Sequence, residues 1–465
     1  MSKIFARSTE LFFLLLATAI LAGMLVSLEL SQGNTLTTEM AYLIGGFIGV
    51  FAVAHLAIRF LAPWADQFIL PIAATLNAIG LVMIYRIDLA NGSGLANRQV
   101  LWTLVGVVLL VATLLIVRDH RSLTRYSYIL GLLGLVLLAM PLIWPQPADA
   151  EARIWIYLGP FSVQPGEFAK VLFIMFFAQL LAQKRALFTV AGYRILGIDL
   201  PRLRDLAPIL AVWAIAILIM AISNDFGPAL LLFATVLAML FMSTGKVSWL
   251  LIGTVLVAVG GTGVYLISSK IQERVTNFLD PIANYDTTGY QISQGLFGMS
   301  WGGVTGTGLG KGHPDLVPVA HTDFILAAVG EELGLIGLAA VVVLFGLFVS
   351  RGFRAALQVR DSYGKLLAAG LATNIMVQVF VVLGGITALM PMTGLTTPFM
   401  SAGGSALMAN YVLVALLLRV SNAARRPSSL DDAAPAARLT QGPRGTVAPS
   451  ETGYIPVQAV QEARR

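Results

Sequence analysis

Two carboxylates stand six residues apart in the stretch NFLDPIANYDTTGYQ, at Asp280 and Asp286. A carboxylate within hydrogen-bond reach of a hydroxyl can take its proton and make the oxygen a better nucleophile. Asp280 precedes Pro281 and suits a turn in which its side chain binds nearby backbone. Asp286 precedes Thr287, Thr288 and Gly289, so it suits either the N-cap of a following helix or a general base. The residues leave those two roles open.

Other groups of the same chemical kind lie along the chain. Arg274 and Lys311 flank the acids, and HTDF adds His321 and Asp323, with Thr322 or Asp323 placed to cap the next helix. Glu331 and Glu332 fall in the apolar segment after it, where an acid is costly unless it is paired or faces water. Adjacent helical residues point about 100° apart, so these two cannot share one partner. In SVQPGEFAK, Glu167 and Lys170 are spaced to meet on one helical face. They are either an internal ion pair or part of a polar pocket in which Lys170 meets an anionic ligand, with Arg153 approaching the same region. Asp225, in SNDFGP, is placed to cap the helix that follows.

Some chemistry is excluded. The chain has no cysteine, so no disulfide, thiolate nucleophile or zinc-thiolate site can form, and its four histidines, at 55, 120, 313 and 321, are too scattered to suggest a multi-histidine metal site. GGVTGTGLGKGH at 302–313 mimics a phosphate loop, but Lys311 precedes Gly312 where that motif needs Ser or Thr. Its glycines instead suit tight turns with positive φ.

The elements that must hold these residues are membrane helices. With 57% hydrophobic and 12% charged residues over 465 positions, the chain is too apolar for a soluble globule. Apolar runs at 11–30, 41–62, 69–86, 99–118, 126–144, 166–184, 206–222, 225–243, 247–268, 323–350, 364–388 and 404–420 each approach the ~20 residues that cross a bilayer. Spanning backbone must satisfy its own hydrogen bonds, so the fold class is all-α, a polytopic helical bundle of about twelve spans. The apolar run after MSKIFAR is read as a retained first span and not as a cleaved leader.

Basic residues concentrate at 118–125, 183–205, 351–365 and after the last span, which places both termini in the cytoplasm. The net charge of +6 is thereby a topology signal and not a nucleic-acid surface. The 269–322 stretch between the ninth and tenth spans then faces outward as a large extracytoplasmic loop. Within it Ile292, Leu296 and Met299 make one apolar stripe, expected on a short helix at the membrane surface. The tail from 423 to 465, rich in Ala, Pro, Ser and Arg, reads as disordered.

WIYLGPFSVQPGEFAK, NDFGPALLL, RVTNFLDPIANYD–TGYQ, GLGKGHPDLVP–HTDFI–A–GEELGLIG and MTGLTTPFMSAGGS together resemble the SEDS family, the RodA, FtsW and SpoVE proteins of bacterial cell-wall synthesis. The resemblance runs from about 70 to 422 and is nearest the actinobacterial RodA-type branch. It implies two extra N-terminal spans over 1–68 and a ten-helix core over 69–422. It also implies an inverting peptidoglycan glycosyltransferase that polymerises lipid II at the outer face of the bacterial cytoplasmic membrane, beside a class B penicillin-binding protein. The family's essential aspartate falls on Asp286, as general base for the acceptor sugar's 4-hydroxyl. Arg153, Lys170 and Arg274, or a divalent cation such as magnesium or manganese, would stabilise the pyrophosphate that leaves. Glu167, Lys311, His321, Asp323 and Glu331 complete the expected substrate-binding set. Departures are NDFGP for the usual PDLGT and Ala402 for the usual tyrosine of SYGGS. A lipid II flippase and a non-enzymatic scaffold are the competing readings.

Overall fold

The computed structural model describes residues 7–35, 37–147, 152–159, 161–189, 193–195, 198–200 and 203–427, without side chains over 185–206. Residues 1–425 form one compact unit. Most of the expected disordered tail, and the side chains of most of the basic 183–205 stretch, lie outside what is described.

Among the described residues, 11 helices are long and apolar enough to cross a membrane. In chain order they are α1 (Ser8–Ser31), α2 (Thr38–Leu61), α3 (Ile69–Asn91), α4 (Leu95–Ile116), α5 (Ser127–Ile143, led in by a 3-10 turn at His120–Tyr126) and α6 (Pro165–Thr189). After α7 (Leu203–Ile222), whose apolar part is shorter, come α8 (Phe226–Thr244) and α9 (Ser248–Ile267). The short α10 (Ser269–Leu279), α11 (Tyr290–Gly302) and α12 (Ile325–Glu332) follow, then α13 (Gly334–Gln358), α14 (Ser362–Ile386) and α15 (Gly404–Arg425). A 3-10 turn at Pro314–Leu316 and two hairpins complete the described elements, β1 (Ile156–Leu158) with β2 (Phe161–Val163) and β3 (Tyr193–Ile195) with β4 (Ile198–Leu200).

α3 and α15 are almost wholly enclosed and α6 and α14 largely so, while α9 shows nearly all of its surface and packs on α8 and α10. Lipid is as apolar as leucine, so helices here associate by close fit and not by hiding apolar area. Small residues provide that fit. Gly131 and Gly134 of α5 receive the rings of Phe176 and Phe173 of α6, and a Cβ at either glycine would come within 2.8 Å of a ring carbon. α1 and α2 belong to the same unit, α1 packing on α3 and α2 on α4. One buried polar cluster ties α1 to α2: Glu10 pairs with His55 at 2.6 Å and with Arg7, which also donates to the carbonyls of Ala62, Pro63 and Ala65. Arg7 is thus a buried clamp between the start of α1 and the segment after α2.

One expected span is broken. The apolar run 323–350 is not one helix, because the chain turns between α12 and α13, where Gly334 takes a φ of +68°. The glycine run fills the break: Leu335 N donates to Gly303 O at 3.0 Å, and Thr307 N to Glu331 O at 3.0 Å. Gly303, Gly306, Gly308 and Gly310 all have positive φ, as tight turns require. Glu331 and Glu332 therefore end a short buried helix and do not lie mid-span. Their partners are separate, as the helical geometry demanded: Glu331 accepts from His313 N at 2.5 Å, while Glu332 pairs with Arg86 at 2.8 Å and accepts from Gly310 N at 3.1 Å.

Candidate functional site: a cation-walled cavity

α10 starts at Ser268, whose side chain accepts from Ile271 N at 3.4 Å. Lys270, Glu273, Arg274 and Asn277 follow at spacings that put them on one helical face, and all four line a cavity of about 520 Å3. Thr288 and Gln291 close a second side and Asp323 a third. Arg274 Nη1 donates to Thr393 O at 3.1 Å, tying α10 to the 390–397 segment at the cavity wall.

The turn between α10 and α11 carries Asp286. Asp280 ends α10 and accepts from Ala283 N at 3.0 Å, the local turn bond expected of it. Asn277 and Thr288 hold the turn's two ends together through bonds of 2.9 and 3.0 Å, and Ser293 Oγ donates to Pro281 O at 2.9 Å. Tyr285 stacks near Tyr290 and Phe297 and accepts from Gln294 at 2.8 Å. Asp286 sits on this braced turn, exposed. It does not cap α11: the N-cap is Gly289, without a side-chain cap. Nor does its side chain line the cavity; Thr288, two residues on, does. The apolar stripe of α11 also departs from expectation. Ile292 is buried, Leu296 and Met299 are partly buried, and Met299 packs on Gly330 of α12, so the stripe faces protein and not the membrane surface.

Asp323 borders a second cavity too, of about 200 Å3, together with Glu167 and Asp225. Neither Thr322 nor Asp323 caps α12, whose N-cap is Phe324 without a side-chain bond; instead Thr322 Oγ1 donates to Asp323 Oδ1 at 3.0 Å. Burial pushes the Asp323 carboxyl up, against the opposing effects of that hydrogen bond and of Arg274. Glu167 and Lys170 form a buried pair at 2.7 Å, and Lys170 also reaches Gln378 at 3.4 Å. The internal ion pair is thus formed, and it lies on the wall of a small pocket with Asp225. Asp225 occupies the N-cap position of α8 but makes no side-chain cap, contrary to expectation. It turns toward the cavities, and burial, with Glu167 adding, pushes its pKa up to about 6.

The remaining candidates scatter. Arg153 is exposed and its backbone N donates to Ser223 O at 3.1 Å, while its neighbours Ile154 and Trp155 line the smaller cavity. Lys311 is exposed on the glycine loop and lines none of these cavities, and Glu331 is occupied by the backbone of His313. His321 is anchored by its carbonyl, which accepts from Ala402 N at 2.8 Å, and burial lowers its pKa. Sequence reasoning missed Lys270 and Glu273, although the polar stripe of α10 signalled them. It also missed the cavity-facing role of Asp225, for which the cap position was a false lead.

Residues 66–426 match the model of the cell cycle protein family FtsW/RodA/SpoVE. The chain is 48% identical over 429 residues to the peptidoglycan glycosyltransferase RodA of Mycobacterium tuberculosis H37Rv, covering 90% of this chain and 92% of that protein. It is 33% identical to a probable peptidoglycan glycosyltransferase FtsW of Geobacter metallireducens, covering 77% and 94%. A solved structure from work on polymerization and crosslinking by a peptidoglycan synthase complex superposes with a TM-score of 0.64 at 27% identity, covering 78% of this chain and 99% of that one. On this sequence match and this shared bundle, the chain belongs to the FtsW/RodA/SpoVE family.

Proposed function

We propose that the protein is a peptidoglycan glycosyltransferase that joins the disaccharide units of lipid II into glycan strands at the outer face of the bacterial cytoplasmic membrane. The relatives that share most of its length carry that activity in their names. The observation that supports the site is a cavity walled by Lys270 and Arg274 and lined by Thr288, two residues along the braced turn from Asp286. Asp286 takes the proton of the acceptor sugar's 4-hydroxyl. That oxygen bonds to the donor's anomeric carbon from the face opposite the departing group, inverting it, and the bond to undecaprenyl pyrophosphate breaks. Cations on the cavity wall offset the charge that develops on the pyrophosphate.

Among the described residues no group of three His, Asp or Glu side chains is placed to hold a metal ion by itself. Magnesium or manganese belongs to the proposal as a counter-ion that the substrate brings, tested by chelation, and no step here runs through it. The likeness to the synthase complex supports a partner transpeptidase of the class B penicillin-binding type. The flippase reading is not favoured, since the relatives are named for transfer. The test is strand synthesis from purified lipid II: wild type makes strands, Asp286→Ala does not, and strands from Asp286→Ala would overturn the assignment.

A further inference from the structure

We infer that the smaller cavity is a sugar subsite, where the ring bonded to the pyrophosphate lies against the indole of Trp155 and its hydroxyls meet Gln164 and Asp225. The inference rests on the glycosyltransferase reading and deepens it, dividing the substrate between two adjoining spaces.

A hairpin builds one wall. β1 pairs with β2 in antiparallel register, Ile156 opposite Val163, so Trp155 and Gln164 flank that pair at the open end of the hairpin. Both line the smaller cavity. Gln146 Nε2 donates to Trp155 O at 2.7 Å and to Pro141 O of α5 at 3.1 Å. Gln164 N donates to Ser405 Oγ of α15 at 2.8 Å. The hairpin base is thus fastened to α5 and α15 through backbone atoms of Trp155 and Gln164, and the wall is held without using either side chain.

The two cavities differ in chemistry. Lys270 and Arg274 line the larger one. Among the described residues that line the smaller one there is no lysine or arginine; Trp155 shares it with Gln164, Ser405 and the acids Glu167, Asp225 and Asp323. Lys170 stands behind that wall, paired with Glu167 at 2.7 Å. The spaces adjoin, with Asp323 and Gly394 at the border of both.

The chemistry then divides the ligand. Phosphate oxygens only accept hydrogen bonds and carry negative charge, so their partners are the cations of the larger cavity. Sugar hydroxyls are neutral and donate, which suits carboxylates, and they also accept from an amide such as that of Gln164. The C–H face of a pyranose is slightly positive and packs on the negative face of an indole. At about 200 Å3 the smaller cavity has room for one ring and not for an extended chain. A sugar and the pyrophosphate bonded to it are neighbours in one molecule, as the two spaces are neighbours in the protein.

The experiment titrates two probes, the phosphate-free disaccharide of lipid II and inorganic pyrophosphate, against the purified full-length protein and reads binding from the shift in melting temperature. Trp155→Leu should weaken disaccharide binding about tenfold and leave pyrophosphate unchanged, while Trp155→Phe, which keeps an aromatic face, should lose no more than about threefold. Lys270→Ala should show the reverse pattern and weaken pyrophosphate alone. Gln164→Ala should weaken the disaccharide about threefold, and it serves as the test where Trp155→Leu does not fold. With lipid II as substrate, Trp155→Leu should raise KM about tenfold and keep kcat within about twofold. Wild-type affinity for the disaccharide in the folded variants, or equal losses of both probes, overturns the inference. Absence of strands from wild type removes the glycosyltransferase reading, and the disaccharide titration still decides the subsite.

Discussion

At the scale of single residues the site separates its acids by environment. Asp286 stands exposed on a turn, while Asp225 and Asp323 are half-buried on cavity walls, where desolvation makes them hold their protons more tightly. For Asp225 the sign of the linkage is fixed. Its folded pKa of about 6 exceeds the ordinary value of 3.8, so the folded state binds more protons between those limits and stability falls as pH rises through them. Asp225→Asn should flatten that decline and raise stability at pH 7 by at most about 3 kcal/mol, read as melting temperature against pH in detergent. The pair at 2.7 Å makes the opposite case. Lys170→Ala leaves Glu167 buried without its cation and should cost about 3–5 kcal/mol, whereas the double change Glu167→Gln with Lys170→Met should recover most of it in a double-mutant cycle.

At the scale of elements, the break between α12 and α13 decides where several residues go. Gly334 has a φ of +68°, and a Cβ there would collide with the backbone of Gly306. Gly334→Ala should therefore destabilise the fold by about 1–3 kcal/mol and lower strand synthesis with it, as melting and activity measured together will show. This break was poorly legible in the sequence because both sides of it are apolar. Hydropathy reports what lipid tolerates, not where a helix turns, and so Glu331 and Glu332 read as mid-span acids. The membrane-length helices were legible for the same physical reason, since spanning backbone has to be helical. The polar face of α10 lay in the spacing of Lys270, Glu273, Arg274 and Asn277, yet only Arg274 stood out, because such a stripe suits a solvated face as well as a cavity wall. The direction of the Asp225 side chain was not, because an N-cap position suits a capping bond or a cavity wall equally until the neighbours are in place.

At the scale of the whole molecule, charge and hydropathy lay the chain across a bilayer, and the proposal needs the Asp286 turn outside the cell. The absence of cysteine makes this simple to check, because any introduced thiol is the only one. Thr287→Cys and Arg354→Cys place it on exposed positions of the turn and of α13. A membrane-impermeant maleimide applied to intact cells should label the first and spare the second until the membrane is opened. The reverse pattern would place the turn with the cytoplasm and remove the substrate from its reach. The account's central claim is that Asp286 is the base. It is tested most directly by the rate of strand synthesis from purified lipid II by Asp286→Asn beside wild type. The account predicts a loss of at least about a hundredfold with folding intact, and a rate close to wild type would contradict it.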